Sequence, residues 1–186
     1  MLSFILCLFI AQTFALNKEP IDPKKPKNNT HWEQIKPAVY FSFLDAPFSP
    51  AKHTFPHKNQ TAQTWAAEAW RNETVHTQLA FWNNLPAFDG QQVELLSTVL
   101  KSGKHSIPES SISFTPIAYV LSDDPSKLKS ACGINIILDS TLVADRILKT
   151  NTFTFQSFET RVLWLSINIP ADAAPGIYKG TLSVTI

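Results

Sequence analysis

The chain has 186 residues, of which 44% are hydrophobic and 17% charged, and its 16 Lys and Arg against 15 Asp and Glu leave a formal charge of +1. A balance this even, with no basic cluster denser than Lys24-Lys25-Pro26-Lys27, argues against nucleic acid or a membrane surface as partner. Two cysteines, Cys7 and Cys132, exclude a multi-disulfide framework.

Residues 1–15 carry no charged side chain. Leu2, Phe4, Ile5, Leu6, Leu8, Phe9 and Ile10 form an apolar core, and Thr13-Phe14-Ala15 is a small-x-small cleavage site, the pattern of a secretory signal peptide cut after Ala15. The core is shorter than the roughly 20 residues a membrane span needs. A secreted or periplasmic protein, free of the membrane after cleavage, is the expectation. About 170 residues then remain, enough for one domain that buries roughly 70% of its unfolded surface. Removal of Cys7 leaves Cys132 without an intramolecular partner, so the core alone must hold the fold.

Residues 16–36 read as a linker rich in Pro, Lys and Asn, flexible over 16–30 because too few apolar groups are present to pack. The globular part is expected from near Trp32, with the domain proper at 37–186. Val39-Tyr40-Phe41-Ser42-Phe43-Leu44 is the first strand. A second runs from Glu73 to Trp82, with Val75, Thr77, Leu79 and Phe81 on one face and His76, Gln78, Ala80 and Trp82 on the other; apolar groups on both faces at its far end predict an interior strand. Val93–Leu100 fits a short helix or a strand, and Lys101–Lys104 a turn. Ser113–Leu121 reads as a strand placed at an edge or bulge by Pro116. Residues 127–150 are a long connection whose pairs Ile136-Ile137 and Leu142-Val143 lie against the core. Phe153 and Phe155 mark a short strand.

The last stretch is the most regular. Leu163, Leu165, Ile167 and Ile169 alternate with polar Ser166 and Asn168, Pro170–Gly176 forms a stiff connection, and Tyr178, Leu182, Val184 and Ile186 alternate with Lys179, Thr181, Ser183 and Thr185. Two strands joined by a fixed turn are predicted, and the second is still running at Ile186, which suggests that more of the protein follows. Short strands separated by turns, with 13 Pro and 5 Gly, predict an all-β sandwich of antiparallel sheets, immunoglobulin-like or jelly-roll-like, with at most one short helix.

Catalytic signals are weak. His53 and His57 are spaced like ligands on a helix, but Pro56 between them opposes that helix, and no metal or other cofactor is expected. Ser126-Lys127-Leu128-Lys129 matches Ser-x-x-Lys by letter only, and no Gly-x-Ser-x-Gly occurs. Cys132 has no neighbour that would lower its pKa. Asp123-Asp124 is a carboxylate doublet, yet strand neighbours point to opposite faces and Pro125 follows, so it reads as the opening of a turn. Trp65, Trp70 and Trp82 are candidates for sugar stacking or for a domain interface.

The runs Ala69–Trp82, Tyr119–Leu121, Leu138–Asp145, Trp164–Ile167 and Pro170–Gly180, in this order and spacing, resemble the N-terminal β-sandwich domain of glycoside hydrolase family 123. Trp70, Arg71, Glu73, Gln78, Asp145, Trp164, Pro175, Gly176, Tyr178 and Gly180 carry the motif, with structural roles. Asn72 stands where the family pattern leads one to expect glycine. The resemblance implies a secreted N-acetylgalactosaminidase-like protein whose (β/α)8 barrel follows the sandwich and carries an adjacent Asp-Glu pair. No residue here corresponds to that pair, so this stretch is expected to be a non-catalytic accessory domain that packs against and positions the barrel in cis. A stand-alone carbohydrate-binding module with glycans as partners, or a structural or adhesive surface domain, are the alternatives.

Overall fold

The computed structural model describes residues 19–20, 31–44, 49–57, 61–86, 91–92, 94–123, 140–148 and 153–185. The proposed signal peptide, Lys24–Lys27, Asp124, Ser126–Lys129, Cys132 and Ile136-Ile137 lie outside these residues.

Twelve strands are described: β1 (Val39–Leu44), β2 (Thr61–Ala62), β3 (Thr74–Asn83), β4 (Gln91–Gln92), β5 (Glu94–Ser97), β6 (Leu100–Ser102), β7 (His105–Ile107), β8 (Ile112–Asp123), β9 (Ser140–Ile147), β10 (Thr154–Phe155), β11 (Thr160–Asn168) and β12 (Leu182–Thr185). Helical structure among the described residues consists of 3-10 turns at Trp32–Gln34 and Glu109–Ser111. The fold is all-β. A six-stranded sheet in the order β2-β1-β3-β11-β8-β9 is antiparallel throughout, and three two-stranded ladders, β10-β4, β12-β5 and β6-β7, complete it.

The large sheet is apolar on both faces, as the two-sided pattern of β3 requires. On one face Leu79, Phe81 and Leu163 are fully buried, and Leu95 of β5 with Leu182 and Val184 of β12 packs against them. On the other, Ala80, Trp82, Ile117 and Val162 form a second cluster with Leu44 and Trp32. Among the described residues, this face is covered by a turn rather than by strands. The 1% exposed Trp32 meets Phe55 and Phe158 at centroid distances of 5.4 and 6.3 Å. Asn84 holds the turn in place: its Nδ2 donates to the carbonyls of Trp32 and Ile35, and its Oδ1 accepts the Ala38 N–H. The core therefore takes in Trp32, ahead of residue 37.

Several expectations change. The stretch around residues 93–100 is not helical, because β5 pairs with β12, Leu95 opposite Val184, a long-range choice that local periodicity does not carry. Pro116 lies in an interior strand, β8, between β11 and β9. Its carbonyl accepts from Leu148 N at 2.9 Å, so the side of the backbone lacking an N–H faces β9 just where β9 ends at Ile147, and no ladder bond to β11 is lost. The bulge falls two residues later: Ala118 pairs with Arg146 but Tyr119 with Ala144, leaving Asp145 as the extra residue. The connection before residue 150 contains a strand, β9, whose Leu142 is 1% exposed. Finally, β11 and β12 do not pair with each other; the Pro170–Gly180 segment carries the chain from the large sheet across to the second layer.

Candidate functional site

At one end of the sandwich the two layers do not meet. A cavity of about 910 Å³ lies between Val75, Phe114 and Leu165 of the large sheet and Leu100, Ile107 and Leu182 of the ladders. Two loops form its rim, Trp65–Arg71 and Ala173–Thr181. Each is fixed by hydrogen bonds. Glu73 N donates to the Trp70 carbonyl, closing a turn, while the Glu73 carboxylate accepts the Trp70 N–H at 2.6 Å. Asn72 occupies a positive φ of 63° in this turn, the conformation for which glycine is the best residue and asparagine the next. Asn72 N and Ile169 O, then Ile169 N and Glu73 O, tie the turn to the end of β11. Arg71 Nε donates to Ala173 O at 2.7 Å and joins the two loops.

The second loop is pressed onto β6. Lys101 and Lys179 exchange both backbone bonds at 2.9 Å, and a Cβ on Gly180 would stand 2.5 Å from Leu100 Cδ2. A Cβ on Gly176 would stand 2.5 Å from Ser102 Oγ. Tyr178 Oη donates to Ala174 O and braces the loop internally. Of the ten motif residues, Trp70, Arg71, Pro175, Gly176, Tyr178 and Gly180 thus line one cavity, and Glu73 braces its rim. The other three are elsewhere: Gln78 and Trp164 are cross-strand partners on the opposite face of the sheet, and Asp145 sits at the β9 bulge. Trp164 Nε1 donates to His76 Nδ1 at 3.1 Å, which leaves that nitrogen an acceptor.

The three candidate tryptophans do not form one platform. Trp82 is 8% exposed and stacks on Tyr40 at 5.7 Å, so it is a core residue with no face open to a sugar. Trp65 lines the cavity and leans on Phe43 at 6.4 Å. Trp70 projects from the rim with 84% of its surface exposed, and Ile177 on the facing loop is 79% exposed. Among the described residues Glu68 is the one carboxylate of the lining, whereas glycoside hydrolysis ordinarily uses two acidic groups across the bond. The arrangement offers an apolar recess with two large side chains at its mouth, which suits docking. Among the described residues no three His, Cys, Asp or Glu side chains group together; His53 instead accepts on its carbonyl from His31 Nε2, and the His57 ring stands edge-on to Phe55.

The sequence reading missed a charged cluster near the other end of β11. Lys52 Nζ lies 2.6 Å from Glu19 Oε2 and 3.3 Å from Glu159 Oε1. Arg161 contacts Glu19 Oε1 through Nη1 and Glu159 Oε2 through Nη2, the latter at 3.0 Å. Tyr119 is fully buried beneath, 6.0 Å from Lys52 Nζ and 5.8 Å from the Arg161 guanidinium, with its Oη donating to Thr160 O at 2.7 Å. Burial pushes the Tyr119 hydroxyl far up in pKa, the neighbouring carboxylates adding to the push against Arg161. For Glu19 burial pulls upward, but Arg161 and Lys52 together hold the carboxyl below its ordinary value. Nothing in the local sequence joins positions 19, 52, 159 and 161, and Glu19 falls in the stretch read as linker.

A family model described as "Glycoside hydrolase 123 N-terminal domain" matches residues 45–186. Among solved structures, the chain is similar to a family 123 glycoside hydrolase from Clostridium perfringens, described in connection with glycolipid glycan hydrolysis, at 19% identity and a TM-score of 0.61. The match covers 79% of this chain and 24% of that enzyme, so the chain spans about a quarter of its length. No curated protein matches.

Proposed function

The chain belongs to the glycoside hydrolase 123 N-terminal domain family, and from that premise we propose that it is the accessory domain of a secreted, N-acetylgalactosaminidase-like glycoside hydrolase. In this reading it packs through the cavity end against a catalytic barrel that follows it in the same polypeptide, and holds that barrel in position. The observation that carries the reading is the rim. Trp70 and Ile177, 84% and 79% exposed, flank an apolar recess on loops that are hydrogen-bonded to each other. Large apolar groups on a braced, water-facing edge are the composition of an interface core.

The test compares this domain alone with a polypeptide that also carries the barrel, by hydrogen exchange over residues 65–71 and 173–181. Protection of both loops only when the barrel is present supports the docking role. Equal exchange in both proteins would remove it. In the longer protein, Trp70→Ser with Ile177→Asp should lower hydrolysis of an aryl N-acetylgalactosaminide while the sandwich stays folded.

A second reading is favoured by Trp70 alone, since an exposed indole is also a surface for pyranose stacking. It requires quenching of Trp70 fluorescence by N-acetylgalactosamine-containing glycans at roughly millimolar affinity, with loss of the signal in Trp70→Ala.

A further inference from the structure

The buried cluster near the start of β11 is independent of the cavity and of the docking role. Among the described residues, its charges balance through Glu19. Lys52 and Arg161 bring two positive groups, with side chains 12% and 15% exposed, and Glu159 brings one negative group, 4% exposed. A buried surplus of positive charge would be costly, and Glu159 is a single carboxylate shared between both cations. Glu19 supplies the missing carboxylate from 33 positions before Lys52 and 142 before Arg161. It also receives a backbone donor. The Tyr119 N–H, at the register shift between β8 and β9, points to Glu19 Oε1 at 3.3 Å.

We propose that Lys52, Arg161 and the Tyr119 N–H form a receptor for one carboxylate, which the chain's own Glu19 fills, strapping the segment ahead of the sandwich to its core. Three donors from three separate elements converge on a single carboxylate, the pattern by which charge-assisted bonds recognise an anion. The Tyr119 ring closes the floor of the site and Glu159 holds both cations in place from the other side. With Glu19 absent, the receptor keeps its shape and a net positive charge, so it admits a small carboxylate from solution. Formate, which carries the same two oxygens with no chain attached, is the probe.

The experiment follows the Tyr119 amide in the whole chain by hydrogen exchange, for the unaltered protein, Glu19→Gln and Glu19→Gly. Glu19→Gly should exchange at Tyr119 at least about tenfold faster, while the amides of Phe81 and Leu163 stay protected. Sodium formate should restore the Tyr119 protection, and sodium chloride at equal ionic strength should not. Unchanged exchange at Tyr119, or formate without effect, overturns the receptor. Parallel loss at Phe81 and Leu163 overturns the strap, because the cluster would then be a general prop of the fold. One reading needs no variant. In the unaltered chain the Glu19 carboxyl carbon should titrate below the ordinary glutamate range, and titration at the ordinary value overturns the proposal as well.

Discussion

Arg71 Nε donates to the carbonyl oxygen of Ala173, 102 positions away, at 2.7 Å, and this bond is a direct link between the loops that carry Trp70 and Ile177. Both residues are at the surface, so Arg71→Ala should lower global stability by less than about 1 kcal/mol. Its effect should be local: faster amide exchange over 171–178, with the β3 and β11 amides unchanged. A loop as protected as before would show that the Tyr178 brace and the Lys101–Lys179 backbone pair fix it without Arg71.

Asn72 stands at φ 63° in the turn ahead of β3. Asn72→Gly removes the residual strain and should leave the domain as stable or slightly more so. Asn72→Val puts a β-branched residue into the left-handed region and should cost about 1–2 kcal/mol. Denaturant midpoints of the three proteins should fall in the order Gly, Asn, Val.

Gly180 and Leu100 compete for one space. A Cβ on Gly180 meets Leu100 Cδ2 at 2.5 Å and Thr98 O at 3.4 Å, so Gly180→Ala should destabilise by about 1–3 kcal/mol through overpacking. Because the near atom belongs to a side chain, Leu100→Ala in the same protein should recover part of that loss. A double-mutant cycle measures the coupling, and strict additivity would mean that the contacts with Thr98, Oγ1 at 3.2 Å and O at 3.4 Å, dominate.

Stability should decline toward both ends of the pH scale, for separate reasons. Glu19 has a lowered pKa in the fold, so its contribution is present above the ordinary 4.5 and is lost as pH falls through the lower folded value. Tyr119 has a raised one, so its contribution is present below the ordinary 10.0 and drains away as pH rises beyond it. Tyr119→Phe should abolish the alkaline decline, at a cost of about 1 kcal/mol for the lost bond to Thr160 O. Urea midpoints at pH 4, 7 and 10.5 distinguish the outcomes, and an alkaline slope that survives in Tyr119→Phe would assign it to another group.

The strands that show in the sequence are those whose own run of apolar residues matches their burial, by alternation or on both faces. In β11, Val162, Leu163, Leu165 and Ile167 are buried while Asn168 is exposed, and β3 shows its interior position through apolar residues on both faces. Where a bulge or a distant partner decides, the pattern fails. Asp145 is the inserted residue of β9, and it breaks the period of two between Ala144 and Arg146. β5 is ambiguous because its four residues are specified by β12 across more than eighty positions. The motif residues could be found by resemblance, but not their convergence on a cavity, since Trp70, Gly176 and Gly180 meet only after the chain changes layers. Glu19 carries no local signal at all, because its partners are set by tertiary distance and a glutamate among prolines and lysines looks solvated. Trp82 misleads for the same reason: exposure is not encoded in residue type.

The pairing of β12 with β5, Leu182 opposite Ser97 and Thr185 opposite Glu94, also sets an order of events during synthesis. The six strands of the large sheet are all made before residue 169, so that sheet can assemble while the rest of the chain is still emerging. Leu95 must wait for Val184. The layer that walls the cavity is therefore completed by the last strand translated among those described, and such a contact between distant residues closes slowly. Until it does, Leu79, Phe81 and Leu163 present an open apolar face, and the growing chain is at its most adhesive in that interval.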